Sequence, residues 1–431
     1  MGIAMWSRKR IDIGWLDILY GILHVCFPLK PARLDELVEE IWSNPEHIFA
    51  CLSVRSGFDL LLTMLGLPEG SEVLVSAITI PDMVRIIEHH GLVPVPVDID
   101  PRQMAPTMEA WQRAVTPGAR VILATHLFGG QIPMEPILDL AGRHGLLVIE
   151  DCAQAFSGKG YSGHSRSDAS MFSFGSIKNN TALGGAVLRI RDLELLARMR
   201  AAQTAYPQQN RRLYGKRLFK YAVLKALSSR IISAFFVRIC KVIGIDYDRW
   251  VNRAARGFPG ESFFAQIRQK PCAPLLAVLK RRLLRFDSHR LERHVIKGRN
   301  LARLLGKNVI CPGAANAPHT YWVFPVLVNE PEQMIGHLAR VGFDATQGQS
   351  LCVVPPPANR PEQKAKMAEK ILANIVFLPF YPELTENEAK RMANAVLKIA
   401  GEKWSSSIPG NASSSNDSLG VSAGTKRFKV H

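Results

Sequence analysis

From Leu52 onward, short runs of consecutive apolar residues alternate with longer stretches in which apolar positions recur every three to four residues. The first pattern reads as strands buried on both faces, the second as helices with one buried face. In order, the periodicity predicts a helix over 58–67, a strand over 72–76, a helix over 81–90 and a strand over 93–97. A strand over 121–125, a helix over 133–144 and strands over 146–149 and 186–189 follow. This alternation predicts an α/β fold whose mostly parallel central sheet is flanked by helices. Ligands of such sheets collect beyond the carboxyl ends of the strands. Asp151 falls at one of these ends.

Outside this block the pattern changes. Residues 319–326 read as the first strand of a smaller C-terminal α/β domain, and 386–400 as its last helix. At the other terminus, a short basic stretch over 1–10 precedes a mostly apolar one over 11–29. Asp12 and Asp17 interrupt that run and no small-residue cleavage site follows, so it predicts a packed or interfacial helix rather than a signal peptide. No uncharged apolar run reaches the roughly 18 to 20 residues of a spanning helix. The tail, rich in Ser, Asn and Gly, is expected to be disordered. The organisation predicted is an N-terminal helical segment (1–47), a large α/β domain (48–205), a helical insertion (206–260), a linking helix with the small domain (261–403) and the tail (404–431).

The charge is unevenly spread. The 431 residues carry 54 Lys and Arg against 37 Asp and Glu. Residues 203–308 alone hold 24 Lys and Arg against 5 acidic residues, which leaves 30 against 32 elsewhere. Such a patch implies an anionic partner: a membrane surface, a nucleic acid or a phosphorylated substrate. Within it, 216–242 interleaves Leu218, Phe219, Tyr221 and Phe235 with Lys216, Arg217, Lys220 and Arg238. That composition suits peripheral contact with an anionic membrane through 211–256; a helix packed on the protein is the alternative. No stacking platform or recognition motif points to nucleic acid. Seven scattered cysteines without a C-x-x-C pair predict a reduced, cytoplasmic protein with no structural metal site, and Cys152 is expected to be a small buried residue.

Two short segments carry the candidate chemistry: Val148-Ile149-Glu150-Asp151-Cys152-Ala153-Gln154, and Phe172-Ser173-Phe174-Gly175-Ser176-Ile177-Lys178. A carboxylate at a strand end and a lysine after an apolar run match the needs of pyridoxal 5'-phosphate. Its ring nitrogen stays protonated beside a carboxylate, and its aldehyde joins an amine. Ser173, on the approach to Lys178, offers a hydroxyl to the phosphate. Taken singly, an Asp here is more commonly a helix cap and a Lys a solvated surface group. Residues 53–57 precede the first predicted helix, whose N-terminus forms an anion site; Ser56 adds a hydroxyl and Arg55 a charge.

Over residues 50 to 402 the chain resembles the DegT/DnrJ/EryC1/StrS family, the fold-type I sugar aminotransferases. Six stretches match in order, among them Pro94 to Asp100, Thr125-His126-Leu127-Phe128-Gly129, the two segments above, Gly184-Gly185-Ala186-Val187 and Leu378 to Thr385. The resemblance implies that Asp151 pairs with the ring nitrogen, Gln154 approaches the ring hydroxyl, Ser173 holds phosphate and Lys178 is the Schiff-base lysine. It also implies a homodimer. The expected reaction moves an amino group from an amino-acid donor, glutamate foremost, to a keto group of a nucleotide-linked sugar. Retention of Lys178 argues against the family's dehydratase branch. Ile80, Gln266, the shortened turn 179–185 and residues 346–350 depart from the family pattern, mostly where substrate is expected. Two readings therefore stay open beside the first: another pyridoxal phosphate reaction on a lipid-linked or amino-acid substrate, and a non-catalytic binding or regulatory protein.

Overall fold

A computed structural model describes residues 5–8, 11–27, 34–158, 160–227, 262–348, 350–400 and 404. Most of the predicted insertion and nearly all of the tail lie outside these residues. Helix α1 (Trp15–Cys26) and the short α2 (Leu34–Glu39) lead into strand β1 (Ile48–Cys51) and helix α3 (Val54–Leu65). Then come β2 (Glu72–Ser76), β3 (Ile78–Thr79), α4 (Pro81–His89), β4 (Val93–Val97), α5 (Met108–Ala114), β5 (Ala119–Thr125), α6 (Glu135–His144) and β6 (Leu147–Asp151). The large unit closes with β7 (Ala169–Ser173), β8 (Ala186–Ile190), α7 (Leu193–Thr204) and α8 (Arg211–Leu227).

Seven strands form one sheet in the order β1-β8-β7-β6-β5-β2-β4. Strands β4, β2, β5, β6 and β7 run parallel, while β8 is antiparallel to both β7 and β1. The mostly parallel α/β architecture is thus as the alternating pattern predicts. The strands are buried on both faces because α3, α4 and α7 cover one side and α5 and α6 pack against the other. That burial explains their continuous apolar runs.

The remaining chain comprises α9 (Phe263–Ile267), α10 (Ala273–Leu284), α11 (Ser288–Leu305), β9 (Phe324–Leu327), α12 (Pro331–Arg340), β10 (Cys352–Val353), α13 (Lys366–Asn374), β11 (Ile375–Leu378) and α14 (Glu386–Ile399). Strands β9 and β11 pair antiparallel, and their core is shared with α11, α12 and α14. Strand β10 pairs with β3, tying this unit to the large one. Two starts differ from expectation by four residues or more, and other boundaries by one or two. Strand β9 begins at Phe324 rather than 319, because 319–323 cross the turn after β5 instead of joining a sheet. Helix α3 begins at Val54 rather than 58, because Ser53 caps it and accepts from the Ser56 N–H at 3.1 Å. Arg55 and Ser56 therefore stand inside its first turn.

Candidate active site

Strands β5, β6 and β7 are parallel neighbours, so the residues at their carboxyl ends meet along one edge of the sheet. Asp151 ends β6 and is buried. One carboxylate oxygen accepts from the Ala153 N–H at 3.0 Å. No donor reaches the other among the described residues. Burial pushes the Asp151 carboxyl up, against the downward pull of the Ala153 N–H and the nearby charge of Lys178. A carboxylate withdrawn from water with so few hydrogen bonds is costly unless a cation joins it. The edge is therefore suited to a positively charged ring nitrogen.

Lys178 follows β7 in a turn closed by its own N–H on the Gly175 carbonyl at 3.0 Å. Its Nζ lies 4.3 Å from the centroid of the Trp322 ring. The Trp322 Nε1–H donates to the Ile177 carbonyl at 3.0 Å, so the indole is pinned to the lysine's own segment. Trp322 can approach only because the turn after β5 is open at Gly129. A Cβ there would stand 2.5 Å from Thr320 Oγ1 and 2.8 Å from the Trp322 nitrogen.

Gln154 is oriented by the same turn. Its Oε1 accepts from the Phe128 N–H at 2.8 Å, which leaves the amide Nε2 as a donor for a ligand. Phe128 itself holds φ near 59°, a left-handed conformation rarely adopted by bulky residues. Behind the edge, His126 accepts from the Ile132 N–H through Nδ1, so its Nε2 carries the proton donated to Glu150 at 3.0 Å. Tyr161 donates to the same carboxylate at 2.6 Å, and Ser170 and the His164 N–H occupy its other oxygen. Burial pushes the Glu150 carboxyl up, yet His126 and Tyr161 outweigh it and hold the pKa at about 2. Cys152 brings a third metal-type atom into this cluster. The hydrogen bonds already fill the carboxylate, so the trio acts as a brace beneath Asp151 rather than as a metal centre.

Ser56 is buried with its Oγ 2.8 Å from Ser53 Oγ, and Arg55 pairs with Asp82 at the start of α4. Ser173 is half-buried, its Oγ 3.4 Å from the Gly175 nitrogen. A hydroxyl with so weak an internal bond suits an oxyanion. Together a helix N-terminus, hydroxyls, a cation, an underbonded carboxylate and a lysine make a donor set that fits pyridoxal 5'-phosphate.

A cavity of about 580 Å³ opens beside the lysine. Lys178, Phe128 and Trp322 line it, and so do Asp12, Arg290 and Tyr381 from the N-terminal segment and small unit. Of the six residues predicted from sequence, only Lys178 is in its wall; Asp151, Gln154, Ser173, Arg55 and Ser56 are not. Asp12 and Trp322 escaped sequence reasoning. The Asp12 carboxylate accepts from Arg290 at 2.7 Å and from the Asn180 N–H at 2.6 Å. Burial raises its carboxyl pKa, but Arg290 and Arg282 bring it below the ordinary value. Its only sequence signal is the break it makes in an apolar run. The positions that depart from the family pattern have local partners instead. Ile80 precedes α4 and packs on the core, the exposed Gln266 amide donates to Ser262 Oγ at 2.7 Å, and Gln347 Nε2 donates to the Ala373 carbonyl at 2.9 Å.

Residues 42–397 match the model of the DegT/DnrJ/EryC1/StrS aminotransferase family. The chain is 27% identical over 366 residues to GDP-perosamine synthase of Caulobacter vibrioides, covering 82% of this chain and 86% of that protein. It is 28% identical over 360 residues to UDP-N-acetyl-3-dehydro-alpha-D-glucosamine 3-aminotransferase of Acidithiobacillus ferrooxidans, covering 83% and 85%. Among solved structures, NtdA from Bacillus subtilis with bound cofactor PMP superposes with a TM-score of 0.61 at 17% identity, covering 93% of this chain and 87% of that one. That likeness concerns the fold.

Proposed function

Because the chain belongs to the DegT/DnrJ/EryC1/StrS aminotransferase family, we propose that it moves an amino group from glutamate to a keto group of a nucleotide-linked sugar, using pyridoxal 5'-phosphate. The carrying observation is the conjunction of the buried, underbonded Asp151 with Lys178 at one sheet edge. The nucleotide-sugar relatives supply the substrate class. When bound, pyridoxal phosphate supplies an electron sink for the bonds at the amino-bearing carbon.

The protein's part follows from its own groups. Asp151 keeps a positive charge on the ring nitrogen, since a carboxylate favours a cation beside it. Lys178 Nζ takes the proton from the amino-bearing carbon of the donor and returns one to the carbon that receives nitrogen. Gln154, held by the Phe128 N–H on its Oε1, would offer its Nε2 to the ring hydroxyl. Ser173, Ser56 Oγ, the Val54 and Arg55 N–H groups at the start of α3 and the Arg55 side chain, oriented by Asp82, would hold the phosphate. Trp322 limits where the Lys178 amine can swing.

The proposal includes a homodimer in the cytoplasm, with peripheral contact at the inner face of an anionic membrane. Among the described residues no helix is long and apolar enough to cross a membrane. The reaction is tested by absorbance of the purified protein loaded with pyridoxal phosphate. Glutamate is expected to convert the spectrum to that of the pyridoxamine form, and a keto nucleotide sugar to restore it. Absence of conversion by every amino donor tried contradicts amino transfer; conversion by glutamate with no reversal by any keto sugar contradicts the acceptor class.

A further inference from the structure

Helices α1 and α8 run antiparallel and lie unusually close. A Cβ on Gly21 would stand 2.9 Å from Leu218 and from Val278 of α10, and one on Gly215 would stand 3.0 Å from Val25. At the other end of the pair, Lys225 Nζ lies 5.9 Å from the centre of the Trp15 ring. The inner faces of both helices, Ile18 and Val25 on α1 and Tyr214, Leu218 and Tyr221 on α8, pack into one core with α10. Their outer faces are thereby turned away from the protein together.

The outer face of α1 is apolar where solvent-facing helices are ordinarily polar, and that of α8 mixes apolar side chains with cations. On α1, Trp15 is 55% exposed, Leu16 67%, Leu19 54%, Leu23 50% and the following Phe27 75%. The spacing 15, 16, 19, 23, 27 is a single helical stripe. On α8, Leu213, Phe219 and Val223 are exposed, interleaved with the exposed Arg212, Lys216 and Lys220. Scattered exposed leucines need no explanation, but a contiguous two-helix patch marks a contact surface. Its charge says with what. Over 211–227 the chain has six cations, Arg211, Arg212, Lys216, Arg217, Lys220 and Lys225, and no acidic residue. The one acid of α1, Asp17, is turned inward onto Arg281 and Arg282.

We infer that the paired outer faces of α1 and α8 form a monotopic docking surface for an anionic lipid bilayer. Apolar side chains, including a Trp and two Phe, enter the boundary of the acyl region while the exposed Arg212, Lys216 and Lys220 of α8 meet the headgroups. A second copy of this chain fits less well, because its own row of cations would meet this one. The surface differs from the basic insertion expected from sequence, since half of it comes from the N-terminal helix. It also stands beside the cavity: residues 11–14, leading into α1, and Tyr221, Leu224 and Lys225 of α8 line that cavity from within. The docked protein thus holds the cavity beside Lys178 next to the headgroup layer. Docking and amino transfer are separate claims, and the experiment below reads only the first.

Full-length protein is sedimented with vesicles of phosphatidylcholine alone and of phosphatidylcholine with phosphatidylglycerol. Binding is expected to the second and to weaken with salt. Replacing Leu16→Ser, Leu19→Ser and Phe219→Ser together is expected to lower the partition coefficient by more than about tenfold, with the circular-dichroism spectrum unchanged. Lys216→Glu with Lys220→Glu, which alters charge and no apolar contact, is expected to abolish the preference for phosphatidylglycerol. Failure of the unmodified protein to bind anionic vesicles overturns the inference, as does undiminished binding of both variants. A drop in mass by light scattering in the triple variant, without vesicles, also overturns it, assigning the face to a second copy.

Discussion

At the residue scale, the central tension is Asp151, a charge kept in a buried place where the folded chain alone gives it little. Replacing Asp151→Asn is expected to reduce amino transfer on the order of a hundredfold, about 2.7 kcal/mol of transition-state stabilisation. The thermal midpoint should stay level or rise, because the amide removes an uncompensated buried charge. Rate and melting measurements on one preparation separate the two effects. A second residue-scale prediction concerns acid. Burial brings His294 and His319 down from 6.5 to about 4. Between those values the unfolded chain binds more protons than the folded one, so stability falls as pH drops from about 6.5 toward 4. The His294→Gln variant should show a shallower decline in melting temperature across that window. Asp12 and Glu150, whose carboxyls are lowered, lose their contribution only at still lower pH, below the ordinary carboxylate value. Asp151 and Lys178 were legible in the sequence because strand ends and short motifs are local. Trp322 was not, because what brings it to Lys178 is a glycine in a different loop, and no periodicity records that approach.

At the element scale, α3 shows how a site is positioned by packing. Gly57 lies in its second turn, where a Cβ would stand 2.6 Å from Leu188 Cδ1 of β8 and 3.1 Å from Cys51 Sγ of β1. The helix can therefore rest directly on edge strand β1 and its neighbour β8, with the half-buried Arg55 and the buried Ser56 in its first turn. Gly57→Val is expected to cost about 1 to 3 kcal/mol by overpacking, read from the denaturant midpoint at unchanged slope. Ser53→Ala removes the cap and should cost about 1 kcal/mol, and weaken retention of pyridoxal phosphate during dialysis. The glycine itself hid the helix start, since Val54-Arg55-Ser56-Gly57 has neither strong helix propensity nor apolar spacing. Strands β2 and β4 were read with their observed bounds because both faces are buried and the runs are continuous. Strand β1 was not, because at the sheet edge four residues carry too little pattern.

At the scale of the whole molecule, segments far apart in sequence close the cavity. Asp12 binds Arg290 from 278 positions away, and the backbone carbonyl of Asp12 receives Arg282 at 2.6 Å. Asp12→Ala removes the carboxylate bound by Arg290 of α11 and should loosen the N-terminal segment there, raising KM for the sugar acceptor more than it lowers kcat. Such contacts join segments far apart in the chain and leave no trace in local composition, whereas the α/β alternation and the uneven charge are visible at once. Every role proposed for the site depends on one covalent attachment. Loaded enzyme reduced with borohydride, digested and analysed by mass spectrometry is predicted to carry the pyridoxyl mass on the peptide containing Lys178, and to lose it in Lys178→Ala. No adduct, or an adduct on a different lysine, would contradict it.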